Sequence, residues 1–525
     1  RRLEYVSGWA GAGTAAVLAE GGAALWVPAA DVRRARAQLS CAWLVLDGDD
    51  LSQPTIAEWI SVNTYKDLYR TIDRLPLHTQ TRKMKERTIY VSLQSTIPGV
   101  SWRDKVTAVR NELKAIGADA MVVTALDEVA WLLNVRGRDI PFAPLLKAFV
   151  VISLKDVKVY APPGKLHLHF RVNEYTTIYS DLRRITETKV LVPTGGTFQR
   201  GASAAIATAV PQTKRIFQPS PIIYLKAQKN QAEIKGMHKA HLRDAVAMCT
   251  VFSYIEGMAG LNEISVAMKV DMTRATQAGY GGLAMRTRVA FGPNGAEPEY
   301  RAINATNRRV FSNSTLIIQS GGQYDEGTTV VTRTLHYGTP SRDERRAYTS
   351  VLRSLAALGS LAAPAALPAA HADPVARAPL WALRQDYAPP TGHGIGAALN
   401  RREGIASTYD TNLHTFREGY FITSEPVWSE PGKFGVRLGN VLEVVSKTRG
   451  YLGFRETTLI PFEPKLIDRN LLTDYEIADD ESEFEETHEG PTQDADAREA
   501  CPDQLHQAPT ASGEPIQITE DQLST

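Results

Sequence analysis

Residues 315–337, TLIIQSGGQYDEGTTVVTRTLHY, constrain the fold more than any other stretch of this chain. Leu316, Ile317 and Ile318 form a short apolar run. Ser320, Gly321 and Gly322 then supply turn residues, and Gly327-Thr328-Thr329 break the pattern a second time. Val330-Val331-Thr332-Arg333-Thr334 resume a β-branched run. Branched side chains fit a pleated surface and glycine tolerates tight turns, so the pattern predicts an antiparallel β-ribbon. Helical spacing lies on both sides of it, and a mixed α/β (α+β) architecture is expected.

With 525 residues the chain is too long for one hydrophobic core, and two or three domains are expected. A hydrophobic content of 43% and a charged content of 22% suit an ordinary globular protein. The formal net charge of +1 argues against a whole-chain nucleic-acid or membrane footprint, so neither partner is expected. The three cysteines, Cys41, Cys249 and Cys501, are far apart and form no metal-spaced pair, which favours a reducing, cytoplasmic compartment. No run approaches the roughly 20 apolar residues that cross a bilayer. The alanine-rich run 354–383 is interrupted by Pro364, Pro368, His371, Asp373 and Arg377, and is expected to form packed helices with a turn. The chain opens on Arg1-Arg2 with no Met and no signal pattern, so its true beginning is expected upstream.

Along the chain, residues 1–100 alternate apolar runs with Gly8, Gly11, Gly13, Gly21 and Gly22, a hairpin signal. Residues 101–225 open on a helix with apolar positions Val106, Val109, Leu113 and Ile116, followed by a strand at 120–124. Asp127 and Glu128 are expected to cap a short helix. Residues 226–470 begin with a helix over 226–254, on which His241 is expected to be structural. From 471 the composition changes. Asp474 to Asp503 is dense in Asp and Glu with Arg498 as its only Lys or Arg, so a disordered acidic tail is expected over 471–525.

The ribbon resembles that of the Xaa-Pro aminopeptidase (aminopeptidase P) family of M24 metallopeptidases, which reads D-S-G-x-Q-Y-x-D-G-T-T-D-V-T-R-T. Val6-Ser7-Gly8-Trp9-Ala10-Gly11-Ala12-Gly13-Thr14 is similar to the family's V-S-G-F-D-G-S-A-G-T, one residue shorter and without its Asp. Residues 125–137, ALDEVAWLLNVRG, are close to A-L-D-E-I-A-W-L-F-N-L-R-G. The resemblance covers nearly all of the chain except the tail. It implies a truncated N-terminal creatinase-like domain (1–100), a second such domain (101–225) and a creatinase/aminopeptidase, or pita-bread, domain (226–470). The two smaller domains would be ribonuclease-H-like α/β folds. It also implies a homodimer through the last domain.

In that family several anionic ligands hold a pair of manganese or zinc ions, which activate water. The ligands are two ribbon Asp, the His of T-G-H-G-x-G, the Glu of an E-P motif and the Glu of I-R-I-E-N. Here the ribbon positions hold Gln319 and Val330. His393 and Glu425 are retained, and Gly439 replaces the last Glu, beside a retained Arg437. The accompanying histidines of the pattern are replaced by Glu299, Pro389 and Arg402. The frame glycines survive while the chemical residues are lost. The expectation is therefore a degenerate member with no resident metal cofactor and no intact catalytic residues, a pseudopeptidase that binds a peptide or protein. Two alternatives stand: a weakly active metalloaminopeptidase that removes the residue before proline, and a histone or nucleoprotein partner acting through fold and acidic tail. Glu299, Arg402, Glu425 and Arg437 are expected to supply at least one Glu–Arg pair in the refilled pocket.

Overall fold

The structure is a computed structural model that describes residues 15–19, 22–39, 43–48, 50, 53, 91–92, 99–166, 172–195, 201–404 and 414–473. The stretch 6–14, Cys41, Cys501 and the acidic tail from 474 lie outside the described residues. Strand Ala15–Ala19 pairs antiparallel with Gly22–Val27, which is the expected hairpin. Helix Val32–Gln38 then returns the chain to Trp43–Asp47, parallel to Gly22–Val27. Leu25, Val27, Ala35 and Val45 form the small core beneath that helix.

The segment from 99 to 218 builds a six-stranded mixed sheet. Its spatial order is Arg215–Gln218, Val190–Pro193, Ala120–Val123, Phe149–Ser153, Val157–Ala161 and Val172–Glu174. Ser101 caps helix Trp102–Ile116 by accepting the Asp104 N–H at 3.2 Å, and Val106, Val109 and Leu113 are its buried face. The central strand is buried on both faces. Met121 and Val123 enter one core, Ala120 and Val122 the other, as a period of two requires.

The helix expected over 226–254 is two helices. Ile222–Ala227 ends, and Asn230 starts Gln231–Gly257 with a capping box. The Asn230 side chain accepts the Ala232 and Glu233 N–H groups at 2.9 and 3.1 Å, and the Glu233 carboxylate accepts the Asn230 N–H at 3.1 Å. An Asn followed three residues later by Glu is a start signal, and it outweighs a continuous apolar spacing. The ribbon forms as expected. Leu316–Ser320 lies between Arg288–Phe291 and Val331–Leu335, antiparallel to both, and all three strands are largely buried. Helices Gln231–Gly257 and Glu263–Ala275 share a core with this ribbon. The alanine-rich run gives the end of helix Arg342–Gly359, a turn, and helix Ala372–Trp381. These lie against a four-stranded sheet ordered Ala363–Pro364, Tyr451–Glu456, Asn440–Ser446, Phe421–Ser424. Among the described residues, no helix is long and apolar enough to cross a membrane.

Candidate active site

The ribbon register fixes the first two positions of interest. Gln319 faces Arg288 on one neighbouring strand and Thr332 on the other. Its buried side-chain carbonyl accepts a hydrogen bond from Arg288 Nη1 at 3.3 Å. A neutral amide thus meets a guanidinium there. Val330, just ahead of strand Val331–Leu335, is buried in an apolar cluster with Ile234, Met237, Met285, Ile395, Phe421 and Val441. Gly439 closes a backbone bridge with Thr332: its N–H donates to the Thr332 carbonyl at 2.9 Å, and the Thr332 N–H returns at 3.1 Å. A Cβ at 439 would stand 3.0 Å from the Thr332 side chain, so any larger residue there must displace it.

His393 and Glu425 come together from two segments. The 391–396 loop runs so close to strand Phe421–Ser424 that a Cβ on Gly392 would overlap the Thr423 carbonyl oxygen. That approach lets the His393 N–H reach Thr423 Oγ1 at 3.1 Å and the Thr423 N–H reach the His393 carbonyl at 2.8 Å. His393 Nδ1 donates to the Gly394 carbonyl at 2.9 Å, and Nε2 stands 3.4 Å from Glu425 Oε1. Burial pushes the imidazole toward its neutral form, opposed by Glu425 and assisted by Arg402 and Arg401. Burial would raise the Glu425 carboxyl, but His393, Arg401 and Arg402 together hold it well below its usual range.

Around this pair the charge is mostly positive. Glu299 adopts a left-handed backbone with φ of 54°, uncommon for a residue other than glycine. Its half-buried carboxylate pairs with Arg288, and Arg437 and Arg402 also act on it. Burial alone would raise the Glu299 carboxyl, yet these guanidiniums hold it at about 2. Arg437 ends strand Phe434–Arg437, and its Nη2 reaches the Glu297 carbonyl at 3.4 Å. Arg401 Nη1 is buried with no hydrogen-bond partner among the described residues. Burial and neighbouring Arg402 pull the Arg401 guanidinium down to about 10, so it stays charged at neutral pH.

The expected Glu–Arg contact among Glu299, Arg402, Glu425 and Arg437 is therefore corrected. Glu299 takes Arg288 instead, and Glu425 has His393 Nε2 beside it at 3.4 Å. Arg288 lies beside Gln319 by strand register, information that a linear sequence does not carry. Pro389 is exposed, and its carbonyl accepts from Arg377 at 3.0 Å. Asp127 and Glu128 sit in the first turn of helix Leu126–Leu133, but neither caps it. Asp127 pairs with Lys226 at 3.1 Å, Lys226 also pairs with Glu403 at 2.7 Å, and Glu128 accepts from Ser220 at 2.8 Å. Both are buried, and their partners are Lys226 and Ser220. His241 is buried, donates from Nδ1 to the Met237 carbonyl at 2.8 Å, and is pushed down to about 4 by burial, as a structural histidine should be. Sequence reading missed Arg288, Arg401, Thr423 and Lys226. Only Arg401 left a trace, as the first of two successive arginines.

The residues present do not fit a pair of metal ions. Among the described residues, no group of three or more His, Cys, Asp or Glu side chains could hold a metal. Gln319 offers one neutral oxygen that is already engaged by Arg288, while Val330 and Gly439 offer no side-chain donor.

Residues 81–233 match the Creatinase/Prolidase N-terminal domain, and residues 235–446 match metallopeptidase family M24. The chain is 31% identical to Xaa-Pro aminopeptidase ApepP of Drosophila melanogaster, covering 91% of this chain and 86% of the relative. It is 30% identical to Xaa-Pro aminopeptidase 1 of Dictyostelium discoideum, covering 91% and 85%. The crystal structure of X-prolyl aminopeptidase from Caenorhabditis elegans, described as a cytosolic enzyme with a di-nuclear active site, has a TM-score of 0.82 at 25% identity. That match covers 92% of this chain and 87% of the other. Fold and frame thus define a creatinase/aminopeptidase protein with a pita-bread C-terminal domain. Within that class, the chain belongs to the Xaa-Pro aminopeptidase family.

Proposed function

We propose that this chain is a catalytically inactive aminopeptidase P-like protein that binds a peptide or protein instead of cleaving it. The observation that carries this reading is Val330, buried in an apolar cluster at a position where the family pattern has a metal-binding aspartate. A metal pair needs anionic donors on both sides to offset its charge. Here one side is hydrocarbon, and the other is an amide held by a guanidinium. Water activation by metal then has no support, so no hydrolytic step is assigned to His393, Glu425 or any neighbour. A cytoplasmic location and self-association belong to the same proposal; the cytosolic description of the C. elegans relative supports the first. The histone-partner alternative rests on the fold and on a tail outside the described residues, and no specific observation favours it.

The test is hydrolysis of an Xaa-Pro peptide by the full chain with manganese or zinc supplied. No measurable cleavage is expected. Turnover comparable to an active relative assayed in parallel would overturn the proposal.

A further inference from the structure

Three separate segments bring guanidiniums to one place. Arg288 comes from strand Arg288–Phe291, Arg437 from strand Phe434–Arg437, and Arg401 from the loop after Leu399. Strand register brings the first two together: Gln319 faces Arg288 and Thr332, Thr332 bridges Gly439, and the Arg437 N–H donates to Thr334 Oγ1 at 2.9 Å. Arg401 feels Arg402, Arg288, Glu425 and Glu299, while Arg437 feels Arg288, Glu299 and Glu425. Arg402 acts on both carboxylates as well. Among the described residues, three guanidiniums besides Arg402, which has a further partner, lie near two carboxylates, Glu299 and Glu425, so positive charge is in excess there. Asp31, which pairs with Arg34, and Arg301 extend the field on the Glu299 side without reversing its sign.

A guanidinium cannot escape burial by losing its proton at neutral pH, as a lysine can. Buried positive charge must therefore be met by anions or by neutral acceptors such as the carbonyls around Arg333. Glu299 is engaged by Arg288, and Glu425 faces His393. Arg401 Nη1 has no protein acceptor among the described residues. Planar forked donors from several directions suit a planar carboxylate or a tetrahedral phosphate.

We propose that Arg288, Arg401 and Arg437 form an oxyanion site that holds a carboxylate or phosphate group of a ligand where the family pattern places metal cations. This deepens the binding-protein reading and rests on it. The same frame is kept while the sign of the bound charge is inverted. An active relative's frame surrounds cations with carboxylates, and this one surrounds an anion with guanidiniums.

Calorimetric titration of the full chain with inorganic phosphate, and separately with acetate, tests the proposal against sodium chloride of matched ionic strength. At least one oxyanion should bind with saturation beyond the chloride control. Phosphate alone would point to a phosphorylated ligand, and acetate to a carboxylate such as a peptide terminus. Arg401→Gln should weaken binding about tenfold or more, since it removes one charged donor set. If that variant fails to fold, Arg437→Gln carries the same test. No saturable binding of either anion, or undiminished binding in the folded variant, overturns the site. These outcomes leave the pseudopeptidase reading intact, because that reading fails only on peptide cleavage.

Discussion

Two buried charge clusters in this chain follow opposite rules. Around Lys226 the buried charges meet one another within the protein, one lysine against two carboxylates. Lys226 sits between Asp127 and Glu403, and all three side chains are almost fully buried. Burial alone would pull the lysine down, yet the two carboxylates hold it above its ordinary value. Around Glu299 and Glu425, arginines outnumber carboxylates among the described residues. The first cluster is an ion-paired chain that ties residues 127, 226 and 403 together. The second is where the anion site is proposed.

The sharpest way to break this comparison is Lys226→Met. It leaves Asp127 and Glu403 buried without their cation, and should cost about 3–5 kcal/mol in denaturant unfolding. A loss under about 1 kcal/mol would show that the first cluster is not held by its charges. Next in size, Val330→Asp places a carboxylate in the apolar cluster and should cost about 3 kcal/mol, with manganese or zinc giving no rescue. Rescue by metal would mean that the family's ligand geometry survives around that position.

A pH series sharpens the contrast further. Burial, with Asp127 beside it, pushes the Glu128 carboxyl up to about 8. The folded state then holds a proton that the unfolded state releases, so stability falls as pH rises from the ordinary carboxylate range toward 8. Glu128→Gln should flatten that slope, as measured by melting temperature across the range; an unchanged slope would remove Glu128 as its source. Glu299 has the opposite sign. Its carboxyl is held at about 2, so its contribution is present above the ordinary carboxylate range and lost as pH falls through 2. Because Glu299 is half exposed, Glu299→Gln should cost under about 1 kcal/mol at neutral pH, the smallest effect of the set. A larger loss would mean that the cluster is already balanced within the protein.

The sequence disclosed the frame well and the refilling poorly, for physical reasons. The ribbon, the capped helix after Ser101 and the alanine-rich helix pair are local patterns, and each appears where its spacing places it. The replacements at 319, 330 and 439 were also legible, because a ligand position is a position in a motif. What replaced the ligands was not. Arg288 reaches Gln319 across a strand pair and Glu299 across a turn with a left-handed residue, and neither contact has a sequence signature. The Lys226 cluster joins residues far apart in sequence, so the sequence offered only a helix-capping role for Asp127 and Glu128. The break at residues 228–230 was readable from Asn230 and Glu233, but the surrounding apolar spacing masked it.

The central claim is that this site opposes cations. It is tested most directly by metal content per chain after incubation with excess manganese or zinc and exhaustive dialysis. Gln319 engaged by Arg288, Val330 in hydrocarbon and Gly439 against Thr332 predict well under one retained ion per chain. Two tightly retained ions per chain would contradict the account.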